Sequence, residues 1–273
     1  MKSRELKTSL IGCYEMHAET RDEVKRIKNA IRDRVWRILE EKGVALFPKP
    51  IKGRIPNFIG AKDAAMKLAS LDIWRKSRII KINPDSPQKW VRLKALLDGK
   101  IVIMATPRIR QGFILLDPKA IPKPLYERAS SIRGAFQLGR IVGVKELKEL
   151  DGIDLIVTGS VAVDREGNRL GKGEGYAELE YAILRELGLV DESTPIATTV
   201  HDLQIVDYIP SMPYDLKVDV ICTPTRIIRV NRRGGRPPGI LWEYITQEKI
   251  REIPILRELW EARSMRRLDG AEK

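Results

Sequence analysis

The sequence is poor in the residues that staple or metallate a fold. It holds two cysteines, Cys13 and Cys222, and two histidines, His17 and His201, in 273 residues. Two cysteines far apart exclude a disulfide framework and a thiolate zinc site. Cys222 stands in the apolar run 218–223 and is read as a small core residue, while His17 has no supporting neighbours and reads as surface. Long hydrophobic runs are missing too: no stretch approaches the ~18 apolar residues that a membrane-spanning helix requires. Residues 1–10 lack the apolar centre of a secretory signal, so the expected compartment is the cytoplasm. Aromatics make up 6% of the chain, and the five tryptophans are spread out rather than interleaved with basic residues, which argues against a base-stacking platform.

Positive charge, by contrast, is abundant. Fifty Lys and Arg against 37 Asp and Glu leave a formal charge of +13. That balance favours polyanionic partners (nucleotides, nucleic acid or a polycarboxylate), with a solvated basic surface as the alternative. A hydrophobic share of 43% supports a folded core, and no repeat or low-complexity linker divides it, so one domain over 1–273 is expected. Its parts are a helical segment over about 19–75, an α/β body over about 76–230 and an extension over about 231–273.

Thr20-Arg21-Asp22-Glu23 has the form of a capping box, and Val24, Ile27, Ile31, Val35 and Ile38 follow at helical spacing, so a helix is expected from Thr20 to near Gly43. A second helix is expected over 60–74. Strands at 79–82, 101–105, 154–163, 196–200 and 218–223 alternate with helices at 87–97 and 176–187, the last closed by Gly188. Alternation of this kind predicts an α/β protein with a mostly parallel sheet flanked by helices.

Between the strand ending at Val163 and the helix at Tyr176 lies Arg169-Leu170-Gly171-Lys172-Gly173-Glu174-Gly175-Tyr176. Glycines at alternate positions allow positive φ and close approach to a ligand. Their amides and the helix N-terminus form a nest for phosphate oxygens, and Arg169 and Lys172 add charge. The spacing is neither a dinucleotide fingerprint nor a Walker loop, and alone it is as readily a plain turn.

In order and spacing, that loop, the preceding 153–164, Gln204, Ile209-Pro210 and Asp215-Leu216-Lys217-Val218-Asp219 resemble the signature of the 5-formyltetrahydrofolate cyclo-ligases, or methenyltetrahydrofolate synthetases. Arg54-Ile55-Pro56-Asn57-Phe58, Thr106-Pro107-Arg108, Val200-His201-Asp202 and Thr223-Pro224-Thr225-Arg226 are similar to the subgroup of methenyltetrahydrofolate synthetase domain-containing proteins. Vertebrate members of that subgroup carry an added RNA-recognition module, whose aromatic motif is not found in these residues. The resemblance implies a Rossmann-like three-layer sandwich of the NagB/RpiA/CoA-transferase-like type. It implies ATP and Mg²⁺ as cofactors and a reduced folate as substrate, with monomer and homodimer both open. In the implied reaction the N5-formyl oxygen of 5-formyltetrahydrofolate takes the γ-phosphoryl group of ATP. N10 then attacks the activated carbon, and phosphate leaves as 5,10-methenyltetrahydrofolate forms. Such chemistry depends on positioning and charge neutralisation.

Carried over by residue, the resemblance assigns Lys28, Arg32, Arg169, Gly171, Lys172, Gly173, Glu174, Gly175 and Tyr176 to ATP, with Arg169, Lys172 and Tyr176 catalytic. It assigns Asp85, Gln88 and Tyr176 to the substrate and Glu178 and Asp219 to Mg²⁺. The family's Tyr-Tyr-Asp is Tyr176-Ala177-Glu178 here, and its Glu-x-x-Thr is Asp85-Ser86-Pro87-Gln88. These departures keep open a related one-carbon substrate, and also a divergent nucleotide- or RNA-binding protein. His201-Asp202 reads as a hydrogen-bonding pair near the pocket or as a general base, and the basic run 231–239 as a solvated loop or an anion holder.

Overall fold

The computed structural model describes residues 2–232 and 234–270, with side chains described over 21–265 apart from 233. The side chains of Cys13, His17 and Arg233 therefore lie outside the described residues. Helix α1 (Lys2–Glu41) leads into a ribbon of β1 (Ala45–Leu46) and β2 (Asn57–Phe58), then α2 (Ala61–Ala69) and α3 (Asp72–Lys76). The body runs β3 (Ile79–Ile82), α4 (Lys89–Leu97), β4 (Ile101–Ala105), β5 (Phe113–Leu116), α5 (Tyr126–Ala129), α6 (Ile132–Leu138), β6 (Arg140–Val142), α7 (Val144–Lys148) and β7 (Leu155–Thr158). A hairpin of β8 (Ala162–Asp164) and β9 (Arg169–Leu170) precedes α8 (Tyr176–Glu186), β10 (Ile196–Thr199), β11 (Ile205–Val206), β12 (Val220–Cys222) and β13 (Ile227–Arg229). The helices α9 (Gln247–Glu252) and α10 (Pro254–Gly270) come last.

The eight-stranded sheet has the order β13-β12-β10-β7-β3-β4-β5-β6. Strands from β12 through β4 run parallel, and the outer strands β13, β5 and β6 pair antiparallel. Successive side chains of a strand point to opposite faces, and both faces are covered. Ile79, Ile103, Ile156 and Ile196 pack with Leu179 and Ile183 of α8 on one side. Ile80, Ile82, Val102 and Leu155 pack with Leu68 of α2 and Val91 of α4 on the other. These two cores make the expected three layers. A third core joins α1 to the small sheet β11-β8-β9 through Val35, Leu39, Ala162 and Leu170.

Three expectations change. The first helix begins at Lys2, so the capping box lies in its interior; residues 2–19 are mostly helix formers, and a helix propagates through such a run. The second breaks at Leu71, whose extended backbone (ψ 153°) starts a new helix. The strand expected over 154–163 splits at Gly159-Ser160, with β7 in the large sheet and β8 in the small one. A Cβ at position 159 would lie 3.0 Å from both Asp85 Oδ2 and Gln88 Oε1, so any other residue at the bend would require these side-chain tips to shift. The antiparallel β5, β6 and β13 were not anticipated.

Candidate functional site: a cation-lined cleft at the carboxyl edge of the sheet

From β3 the chain moves outward to β4 and later returns to β7 on the other side of β3. Open α/β sheets form a crevice where strand order reverses in this way. Here it is a cleft of about 600 Å³, floored by Asn83, Asp85, Thr106 and Gly159 and walled by Lys28, Arg32 and the loop 169–178.

The loop is held from below by the β8–β9 turn. Asp164, fully buried, accepts from the amides of Glu166 (3.0 Å), Asn168 (2.9 Å) and Ile209 (3.0 Å) and from Asn168 Nδ2 (2.8 Å). Gly173 (φ 105°) and Gly175 (φ 74°) are left-handed, and Gly175 is the N-cap of α8. A chain with these angles turns successive amides toward one concavity. Arg32 braces the loop from α1: its Nε donates to the Gly171 carbonyl (2.7 Å) and its Nη1 to Asn29 Oδ1 (2.8 Å).

Four cations of the cleft face an internal carboxylate. Lys28 pairs with Asp215, Arg169 with Glu178, Lys172 with Asp85 (3.2 Å) and Arg108 with Glu174 (3.6 Å). Arg169 is buried and its Nε has no hydrogen-bond partner in the protein. Burial pushes the Asp215 carboxyl above the usual carboxylate range, partly offset by Lys28, and neighbouring Glu178 pushes it the same way. Burial also raises the Tyr176 phenol, and Tyr176 lines the cleft with the Lys249 amine 5.2 Å from its ring centre.

The cleft thus gathers Lys28, Arg32, Asp85, Arg169, Gly171, Lys172, Gly173, Glu174, Gly175, Tyr176 and Glu178. It does not gather Asp219 or Gln88. Asp219 precedes β12 at the amino edge of the sheet, where its carboxylate accepts from the Ile196 amide (2.8 Å) and pairs with Arg232 (3.2 Å) and Arg236. Parallel strands keep that edge a strand's length from the carboxyl edge, so Asp215 and not Asp219 stands with Glu178. Gln88 is fully buried behind the floor, donating to Thr199 Oγ1 (3.0 Å), because the 3₁₀ turn Ser86–Gln88 rotates it toward β10.

His201 does not line the cleft either. Its Nδ1 accepts from the Leu203 amide (3.1 Å), its ring meets Phe58 edge-on, and burial lowers its pKa. Gln204, also buried, donates to the carbonyls of Ser160 (2.8 Å) and Val161 (3.1 Å), so its place in the motif is architectural. In the basic run, Arg232 and Arg236 are engaged with Asp219, and Arg232 also with Glu192.

Sequence reading missed three features. Arg108 and Ile109 are both left-handed (φ 55° and 57°) although neither is glycine. The strain is held by the full burial of Ile109 and by Thr106, whose Oγ1 accepts from the Gln111 amide (3.0 Å) and donates to the Gly112 carbonyl (2.9 Å). Arg92, fully buried with its pKa lowered to about 10 by desolvation, donates to the carbonyls of Asn83, Asp85 (3.2 Å) and Ser130 (2.7 Å), fixing the floor. Beneath them Lys81 of β3 pairs with Glu180 of α8 and donates to Asn83 Oδ1 (2.6 Å), all three buried.

An open, largely parallel sheet with a glycine loop and paired charges in a cleft at its carboxyl edge defines the class, an α/β protein with a charged crevice where strand order reverses. Residues 24–224 match the 5-formyltetrahydrofolate cyclo-ligase family, and the chain belongs to that family. It is 40% identical over 233 residues to a methenyltetrahydrofolate synthase domain-containing protein of Danio rerio, covering 84% of this chain and 60% of that protein. To the Homo sapiens protein of the same description it is 38% identical over 236 residues, covering 85% of this chain and 61% of that one. The chain therefore spans about three-fifths of the length of these relatives. The solved structure of 5,10-methenyltetrahydrofolate synthetase from Aquifex aeolicus aligns with a TM-score of 0.47 at 20% identity, covering 76% of this chain and 95% of that one. Among the described residues no helix is long and apolar enough to cross a membrane.

Proposed function

We propose that this chain is an ATP- and Mg²⁺-dependent 5-formyltetrahydrofolate cyclo-ligase, acting as one cyclo-ligase-like unit in the cytoplasm. The observation that carries this reading is the set of cation–carboxylate pairs around the glycine loop: Lys28–Asp215, Arg169–Glu178 and Lys172–Asp85. A polyphosphate arriving with a divalent cation suits these pairs. The amines and guanidinium turn to phosphate oxygens, the freed carboxylates Glu178 and Asp215 face the metal, and net charge stays balanced. The donor set is oxygen-only and fits Mg²⁺, which when bound neutralises charge on the phosphates.

In this reading the amides of 171–176 with Lys28, Arg32, Arg169 and Lys172 hold the triphosphate. Asp85, at the floor, accepts from the pterin, and release of its bond to Lys172 couples the two ligands. Tyr176 closes the cleft beside the reacting formyl group. No residue acts as a nucleophile: the chain brings the formyl oxygen to the phosphoryl group and keeps water away. The expected outcome is that purified protein converts 5-formyltetrahydrofolate to a product with the methenyl absorbance only when ATP and Mg²⁺ are both present. Absence of turnover with bound nucleotide would shift the assignment to a related one-carbon or pterin substrate.

The second reading, a divergent nucleotide- or RNA-binding protein, draws on the charge of +13 and on Ala177 standing where the family has tyrosine. The engagement of Arg232 and Arg236 in ion pairs weakens it. RNA affinity that falls steeply with salt and survives Lys172→Ala would favour it.

A further inference from the structure

A second cavity, of about 250 Å³, adjoins the cleft across the glycine loop and shares Gly173, Glu174, Gly175, Glu178 and Tyr214 with it. Its far wall is built by 237–249, through Ile240, Leu241, Tyr244 and Ile245, and its near wall by Leu179 and Ala182 of α8. The far wall lies outside the residues 24–224 that match the family, so this annex is a property of the extension. The two cavities differ in chemistry. Lysines and arginines ring the cleft, whereas Lys249 is the cation lining the annex among the described residues. Lys249 is already committed, donating to the Glu174 carbonyl at 2.9 Å, and burial lowers its pKa. The annex instead offers aliphatic walls and an edge-to-face pair, Tyr214 and Tyr244, with ring centres 4.9 Å apart. Arg21 covers Tyr244 from 4.5 Å, which holds that ring in place.

A nucleotide lying on the loop has two ends of opposite character. Its phosphates belong with the cations of the cleft, and a neutral planar ring belongs between apolar walls and tyrosines. The annex is too small for a whole nucleotide, below the ~300–1,000 Å³ usual for a drug-sized ligand, and suits one bicyclic ring. We propose that the annex is a nucleobase subsite, in which the base of the nucleoside triphosphate lies between α8 and 237–249. This rests on the nucleotide reading of the loop.

The test compares Mg-ATP with Mg-tripolyphosphate by calorimetry, on the wild type, on Leu241→Trp, which fills the annex, and on Tyr244→Ala, which deletes atoms and keeps the test decisive if bulk at 241 disturbs packing. The wild type should bind ATP more tightly than tripolyphosphate. Both variants should weaken ATP by about tenfold and leave tripolyphosphate unchanged. Equal wild-type affinity for ATP and tripolyphosphate overturns the subsite while sparing the nucleotide reading. So does a variant that weakens both ligands alike, or one that weakens 5-formyltetrahydrofolate and not ATP, which would make the annex a pterin site. A wild type that binds neither phosphate ligand overturns both readings together.

Discussion

At the scale of single residues, the two aspartates of one short segment have opposite duties. Asp215 stands in the cleft against Lys28, and Asp219 ties β10, Arg232 and Arg236 together at the far edge. Asp215→Asn should raise the Mg²⁺ concentration for half-maximal turnover by about tenfold or more, as loss of a metal-site carboxylate does. Asp219→Asn should leave that requirement unchanged and lower stability by about 1–3 kcal/mol in urea unfolding, because the buried Arg236 loses its charged acceptor. Titration of His201 offers a second check. Its folded pKa lies below the free value of 6.5, so the unfolded chain takes up the proton first. Its contribution to stability is complete above 6.5 and is lost as the pH falls toward the folded value. His201→Asn should therefore flatten unfolding free energy against pH in the window just below 6.5.

Elements meet at two unusual contacts under the cleft. β3 carries Lys81 into an otherwise apolar layer, where it meets Glu180 of α8. A buried pair is costly to break on one side, because the survivor is left charged without a partner. Lys81→Met should destabilise by about 3–5 kcal/mol. The double variant Lys81→Met/Glu180→Leu should recover most of that loss, as read from denaturant midpoints. The second contact is the bend between β7 and β8. Gly159→Ala pushes a methyl group against Asp85 and Gln88, whose side chains are engaged elsewhere: Gln88 is bonded to Thr199, and the Asp85 carboxylate to Lys172. The expected result is a higher KM for 5-formyltetrahydrofolate together with weaker ATP binding, because Asp85 pairs with Lys172 and the Gly159 carbonyl accepts from Arg169.

On the scale of the whole molecule, the proposed Mg-ATP site predicts reciprocal ligand binding, because its cations and carboxylates are paired. In that proposal Mg²⁺ alone would have to take carboxylates from their cations, and ATP alone cations from their carboxylates, whereas the two together would exchange partners at little electrostatic cost. Mg-ATP at about 100 times its Kd should stabilise the protein by ~2.7 kcal/mol, a Tm rise on the order of 5–10 °C. Either ligand alone should give much less, which thermal unfolding measures directly.

The parallel strands β3, β4, β10 and β12, the helices α4 and α8, the layered sheet and the glycine loop were legible in the sequence, since apolar runs of strand length and glycines at alternate positions are local signals. The boundaries at Ile79–Ile82 and Ile101–Ala105 follow from such runs alone. Tertiary structure decided what depends on where two distant segments meet. It turned Gln88 inward and set Asp219 at the amino edge of the sheet, away from Glu178 and the cleft. It also bent the chain left-handed at Arg108 and brought 237–249 against α8. The spacing within Asp215-Leu216-Lys217-Val218-Asp219 cannot say which carboxylate faces the cleft, because that is settled by the start of β12 and by the cations on either side.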